Sequence, residues 1–229
     1  MNRHTTMLKT RWPRVAAALS LLMVLGACAV PPAARDYTAF RNSKPQSILV
    51  LPPVNETTDV GATSGLLAQM TMPLAEAGYY VLPVAETTET FRHNGVTAPE
   101  EIEQIPPAKM REIFGADAAL YSKVTQYGSV YRVIDSDTVV TASAKLVDLR
   151  TGDVLWAGVG SASGKELRNF SVGGGGLVGL LVQAAVRQVV DTLADRSYDV
   201  AGLASQRLLS VGQPHGLLYG PRSPKYGSD

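Results

Sequence analysis

The side chain whose chemistry is most sharply dictated by its neighbours is Cys28, the only cysteine, which follows Leu25-Gly26-Ala27. Arg3, Lys9, Arg11 and Arg14 make a basic front, and an uncharged stretch from Val15 to Ala27 follows it. Small residues directly before a lone cysteine, behind such a stretch, form the pattern of a bacterial secretory signal that ends in a lipobox. The implied chemistry is cleavage after Ala27 and acylation of Cys28. Residues 1–27 therefore read as a lipoprotein signal peptide and Cys28 as the lipidation site. The stretch suits a signal core of ~7–15 residues and falls short of the ~20 that a bilayer crossing needs. In Gram-negative bacteria an Asp after the cysteine resembles an inner-membrane retention signal. Ala29 stands there instead, which predicts the cell outer membrane, with the folded domain in the periplasm or on the surface. Each buried CH₂ of an acyl chain adds ~0.8 kcal/mol, so a multiply acylated Cys28 is a lasting anchor.

The other candidate chemistries dissolve on spacing. Gly173, Gly174, Gly175 and Gly176 precede an apolar run from Leu177, and a helix N-terminus behind glycines attracts anions. A phosphate loop of the Walker type also needs Lys and Ser/Thr after its last Gly, and neither is present. The run from Gly160 to Gly164 puts Ala162 where a nucleophile elbow needs Ser. His93 and His215 lie far apart, with no Cys, His or Asp at zinc spacing. Asp135 and Asp137 flank Ser136 in what reads as a turn, with no third carboxylate for a calcium loop. No nucleophile, base and orienter can be named together, so no enzyme, no cofactor and no metal are expected.

Charge narrows the partners. Residues 1–27 hold four of the 21 Lys and Arg and none of the 20 Asp and Glu, which leaves 17 basic against 20 acidic side chains, a formal −3. A mildly acidic chain without a basic cluster excludes nucleic-acid binding. With Cys28 acylated no thiol remains, so the fold must stand on its core without disulfides.

The elements that would carry these residues follow from periodicity. Residues 28–44, with Pro31 and Pro32, read as a tether. Ile48-Leu49-Val50-Leu51 reads as a buried strand stopped by Pro52-Pro53, and Leu66, Leu67, Met70, Leu74 and Ala77 set a helix that ends at Gly78. Tyr79 to Leu82 reads as a second strand, with short helices over 85–93 and 99–114. From Ala118 the period becomes two. Leu120, Ser122 and Val124 fall on one face of a long strand, while Tyr121, Tyr127 and Tyr131 fall on the other, a candidate interface. Val140, Ala142, Ala144 and Leu146 line one face of the next strand, and Trp156 lies on the return strand. Residues 177–194 read as the last firm helix, and 198–229 as a weakly structured tail. The expected fold is α+β, a single domain over 45–197 with an antiparallel three-strand meander and helices packed on a mixed sheet.

Several runs are also familiar. Pro45 to Pro53, Pro73 to Pro83, Phe114 to Tyr121 and Ile134 to Val140 resemble a family of Gram-negative outer-membrane lipoproteins that includes a vaccine-candidate surface antigen. The likeness runs from the lipobox to about Ser197. More distantly, the strand–helix–strand opening and the hairpin Val147-Asp148, Thr151-Gly152, Leu155-Trp156 resemble the TolB amino-terminal domain, the periplasmic domain of CsgG and the penicillin-binding-protein activator lipoproteins. The resemblance implies a TolB-like fold, an envelope role without catalytic residues, and partners among envelope lipoproteins or secretion components. It leaves two expectations. The first is an assembly, transport or scaffolding module that binds envelope proteins and self-associates as a dimer or larger. The alternative is a pore-forming or export-channel component of CsgG-like type, in which the segment of Gly173 to Gly176, a candidate interface, reorganises in the oligomer.

Overall fold

The computed structural model describes residues 35–131, 136–167 and 193–229. Cys28, the four glycines at 173–176 and residues 177–192 of the expected long helix lie outside them. Residues 36–229 form one compact unit.

Strand β1 (Ser47–Val50) is apolar at each of Ile48, Leu49 and Val50 because both of its faces are covered. It lies between β3 (Tyr80–Val81) and β4 (Ala118–Tyr131) and runs parallel to both. Pro52 and Pro53 carry no N–H for the ladder, so the chain steps aside there and resumes beside β4 as β2 (Val54–Asn55). The meander follows as expected: β4 pairs antiparallel with β5 (Ser136–Asp148), and β5 with β6 (Val154–Ser163). Among the described residues the sheet has six strands in the order β3-β1-β4-β5-β6, with β2 on β4.

Helices cover both faces. On one, α2 (Ala62–Glu76) and α6 (Leu193–Leu208) bury Leu66, Met70, Leu74, Val200, Ala204 and Leu208 against Ile48, Val50, Leu120, Val124 and Leu146. On the other, α3 (Val84–His93), α4 (Pro99–Ile102) and α5 (Pro107–Phe114) bring Phe91, Ile102 and Met110 onto Leu49, Leu51, Ala119 and Tyr121. Each large aliphatic side chain buried in this way contributes about 1.5–3 kcal/mol. The protein is an α+β sandwich of three layers.

Three expectations need correction. The tether was drawn through residue 44, yet residues 38–43 form a helix, α1 (Thr38–Ser43), that seats Phe40 in the core. The weakly structured tail from 198 is instead most of α6 and a docked segment. Val200, Ala201, Ala204, Ser205 and Leu208 line the buried stripe of α6. Gly160 of β6 lets that helix approach closely: a Cβ there would lie 2.6 Å from the Ala204 carbonyl oxygen. Beyond α6, Leu209 and Leu217 are buried, the Gly220 N–H donates to the Ala77 carbonyl at 2.8 Å and the Arg222 N–H to that of Gly78 at 3.0 Å. Gly78 and Gly220 meet backbone to backbone, and a Cβ on Gly220 would fall 2.5 Å from the Gly78 carbonyl carbon. The third correction concerns Ser136 and Asp137, read as a turn: they are paired residues of β5, opposite Tyr131 and Val130.

Candidate functional site

Two carboxylates stand where the chain enters the sheet, and both are fully engaged. Asp148, 1 % exposed, ends β5. It accepts hydrogen bonds from the Ser43 hydroxyl at 2.5 Å, the Arg150 N–H at 2.6 Å, the Thr151 N–H at 3.2 Å and the Arg150 guanidinium at 3.0 Å. The same guanidinium donates to the Ser43 carbonyl at 2.6 Å, which ties the end of α1 to the β5–β6 turn. Burial pushes the Asp148 carboxyl up, but the bonds from Arg150, Ser43 and the turn backbone outweigh it and hold the group at about 2. Asp117, just before β4, accepts from the Gln46 N–H at 3.0 Å and the Ser47 hydroxyl at 3.1 Å, and Arg111 lies 3.3 Å away. Burial raises it and these donors lower it further, so it also sits below the ordinary carboxylate range. Carboxylates spent in this way are fasteners and offer no proton for catalysis.

The expected tyrosine face is divided. Thr125 is an extra residue in β4, because Val124 pairs with Ala142 and Gln126 with Thr141. Such a bulge shifts the alternation by one residue and sends the next side chains to the opposite face. Tyr121 is therefore buried beneath α5, its hydroxyl 3.8 Å from the Met110 sulfur and its ring 5.0 Å from the Lys145 ammonium. Tyr127 packs on the other side with α2, where a Cβ on Gly65 would strike its hydroxyl. Burial pushes both phenols up. The side chain of Tyr131 lies outside the described residues.

The remaining candidates are placed apart. His93, exposed on α3, lies 2.8 Å from the Glu89 carboxylate. The His215 carbonyl accepts the Trp156 indole N–H at 3.0 Å. The Ser161 and Thr141 hydroxyls bond each other at 2.9 Å, and Asp137 accepts the Lys165 N–H at 3.2 Å. Among the described residues no group of three His, Cys, Asp or Glu gathers at metal-binding distance.

What residue spacing did not reveal is a groove of about 480 Å³ at the β3 edge of the sheet. The last turns of α2 give Thr71, Met72 and Ala75, the strand gives Tyr79 to Leu82, and the docked C-terminal segment gives Arg222. Met72 is 60 % exposed and Tyr80 45 % exposed, large apolar surface left uncovered. The Arg222 guanidinium stacks 5.1 Å from the centre of the Tyr80 ring. Among the described residues it is the only charged one that lines the groove, and it has no carboxylate partner there. The strand half of this site was legible in Tyr79-Tyr80-Val81-Leu82, whereas Arg222 arrives only through the docked segment.

Fold and site together define a class: an α+β sandwich fastened by carboxylates where its leading segment enters, with an uncovered groove at one sheet edge. Residues 35–222 match a family described as "Putative lipoprotein GNA1162-like", and the chain belongs to this GNA1162-like lipoprotein family. It is 49 % identical over 205 residues to lipoprotein NMB1124/NMB1162 of Neisseria meningitidis serogroup B (strain MC58), covering 89 % of this chain and 94 % of that one. The crystal structure of lipoprotein GNA1162 from Neisseria meningitidis is similar at 46 % identity, with a TM-score of 0.50 over 65 % of this chain and all of that one.

Proposed function

We propose that the protein is a non-catalytic, lipid-anchored module of the Gram-negative cell outer membrane, which binds other envelope proteins in assembly, transport or scaffolding. Cys28 carries the lipid, and the segment from there to α1 links the anchor to the domain. The observation that supports this reading most is the β3-edge groove. It offers exposed Met72, exposed Tyr80 and an Arg222 without a carboxylate among the described residues, residue types enriched at binding surfaces. The well-bonded carboxylates support it from the other side, since Asp117 and Asp148 act as fasteners.

Two variants test the reading in cells. Cys28→Ser leaves the fold intact and releases a soluble or unprocessed chain; continued fractionation with the outer membrane would contradict the anchor. Met72→Lys keeps the membrane fractionation and loses the envelope proteins cross-linked to the wild-type chain. Equal recovery by both chains would remove the groove from the function.

A further inference from the structure

Three features fix what the groove can accept. The first is the edge of β3. The Tyr80 and Leu82 N–H groups donate to the carbonyls of Gln46, just before β1, and Ile48 of β1, at 3.0 and 3.1 Å. Alternation along the strand then turns the N–H and C=O of Val81 outward, where no described strand pairs with β3. The second is the apolar floor formed by Met72, Ala75 and Tyr80 beside that edge. The third is the isolated charge. Arg222 is held in place twice, by its backbone bond to Gly78 and by its stacking on Tyr80, and it faces a lining that contains no acid among the described residues. A guanidinium fixed beside an apolar floor presents its N–H donors to a carboxylate in a set direction.

We propose that this groove takes an extended acidic peptide segment of a partner protein. The segment lies along the outer edge of β3, exchanges main-chain hydrogen bonds with Val81, sets a carboxylate on Arg222 and lays an apolar side chain between Met72 and Tyr80. β3 is only two residues long, and Pro83 follows it closely. The main-chain bonds are therefore few, and the side-chain pockets supply most of the selectivity. This inference rests on the protein-binding role proposed above and names the chemistry of the partner.

The test selects short peptides from a random display library against the full lipidated chain in detergent micelles, with Met72→Lys as the counter-selection. The selected peptides are expected to carry Asp or Glu next to apolar residues and to bind Arg222→Glu about tenfold more weakly. Replacing the acidic residue of such a peptide by Lys is expected to restore binding to Arg222→Glu. Melting temperatures of both variants check that they fold, and Met72→Lys, on an exposed helix surface, serves as a second probe should Arg222→Glu fail to fold. Three outcomes overturn the proposal: no peptide enriched over the counter-selection, enriched peptides that ignore Arg222→Glu, or a chain dimer dissolved by Met72→Lys, which would make a second copy the occupant. If these arms fail while wild type alone still cross-links envelope proteins through the groove in cells, the acidic peptide falls and the binding role stands.

Discussion

Asp148 and Arg222 are charged residues at two margins of the same sheet, and the fold treats them oppositely. Asp148 is buried, with donors from Ser43, Arg150 and the turn backbone around its two oxygens. Arg222 is stacked on an exposed tyrosine and has no carboxylate among the described residues. A charge taken from water without partners costs several kcal/mol, so the first arrangement persists only because its bonding is complete. The second costs little, because its head stays near water. The contrast separates a margin that fastens the chain from one whose charge and apolar side chains stay exposed. Both margins depend on distant segments: α1 reaches the first, and the docked C-terminal segment reaches the second.

The sharpest way to break the contrast is to undock that segment. Gly220→Val places a Cβ within 2.5–2.9 Å of three backbone atoms of Gly78 and Tyr79, none of which can move alone. The expected cost is about 3 kcal/mol, or roughly 10 °C in melting temperature for a domain of this size. Arg222 leaves the groove in the same step. Thermal unfolding measures the first effect and loss of the groove's cross-links the second. A variant that melts like wild type would mean the segment is not docked through Gly78 and Gly220.

Next in size is Asp148→Asn, which keeps the shape and removes the charge that Arg150 and Ser43 surround. A loss of about 2 kcal/mol is expected in denaturant titration near neutral pH. The pH dependence gives the same quantity a sign. The folded carboxyl titrates at about 2, below its ordinary 3.8. Its contribution is therefore full above pH ~4 and disappears as the pH falls through ~4 to ~2, an integrated loss on the order of 2 kcal/mol. The Asp148→Asn variant lacks that part of the acid transition. Parallel acid profiles of the two chains would show that Asp148 holds nothing.

These same residues show what a one-dimensional reading reaches. The meander was legible because Val140, Ala142, Ala144 and Leu146 alternate strictly, and β1 because four apolar residues run unbroken between polar and proline signals. The bulge at Thr125 was not: one extra residue leaves no mark in hydropathy, yet it sends Tyr127 to the face opposite Tyr121. The end of α6 was missed because, between Val200 and Leu208, its buried stripe is Ala201, Ala204 and Ser205, small side chains that carry little apolar signal. The segment after it docks through backbone hydrogen bonds at Ala77 and Gly78, which no side-chain pattern announces. Half of the groove therefore stood in the sequence as Tyr79 to Leu82, and its charge did not.

The smallest expected effects decide whether the contrast is real. Met72 looks outward, so Met72→Lys should change stability by less than about 0.5 kcal/mol, the range of ordinary surface substitutions, and Tyr80→Ser, which also removes the stacking with Arg222, by about 0.5–1 kcal/mol. Arg222→Gln should lose only its stacking on Tyr80, about 0.5–1 kcal/mol at an exposed site. If the three chains melt within a few degrees of wild type while Asp148→Asn does not, the β3 margin carries little of the fold's stability and its exposed residues are free to serve recognition. If Met72→Lys instead unfolds the domain as deeply as Gly220→Val, then Met72 is core in solution, the groove is closed there, and the site has to be sought elsewhere on the molecule.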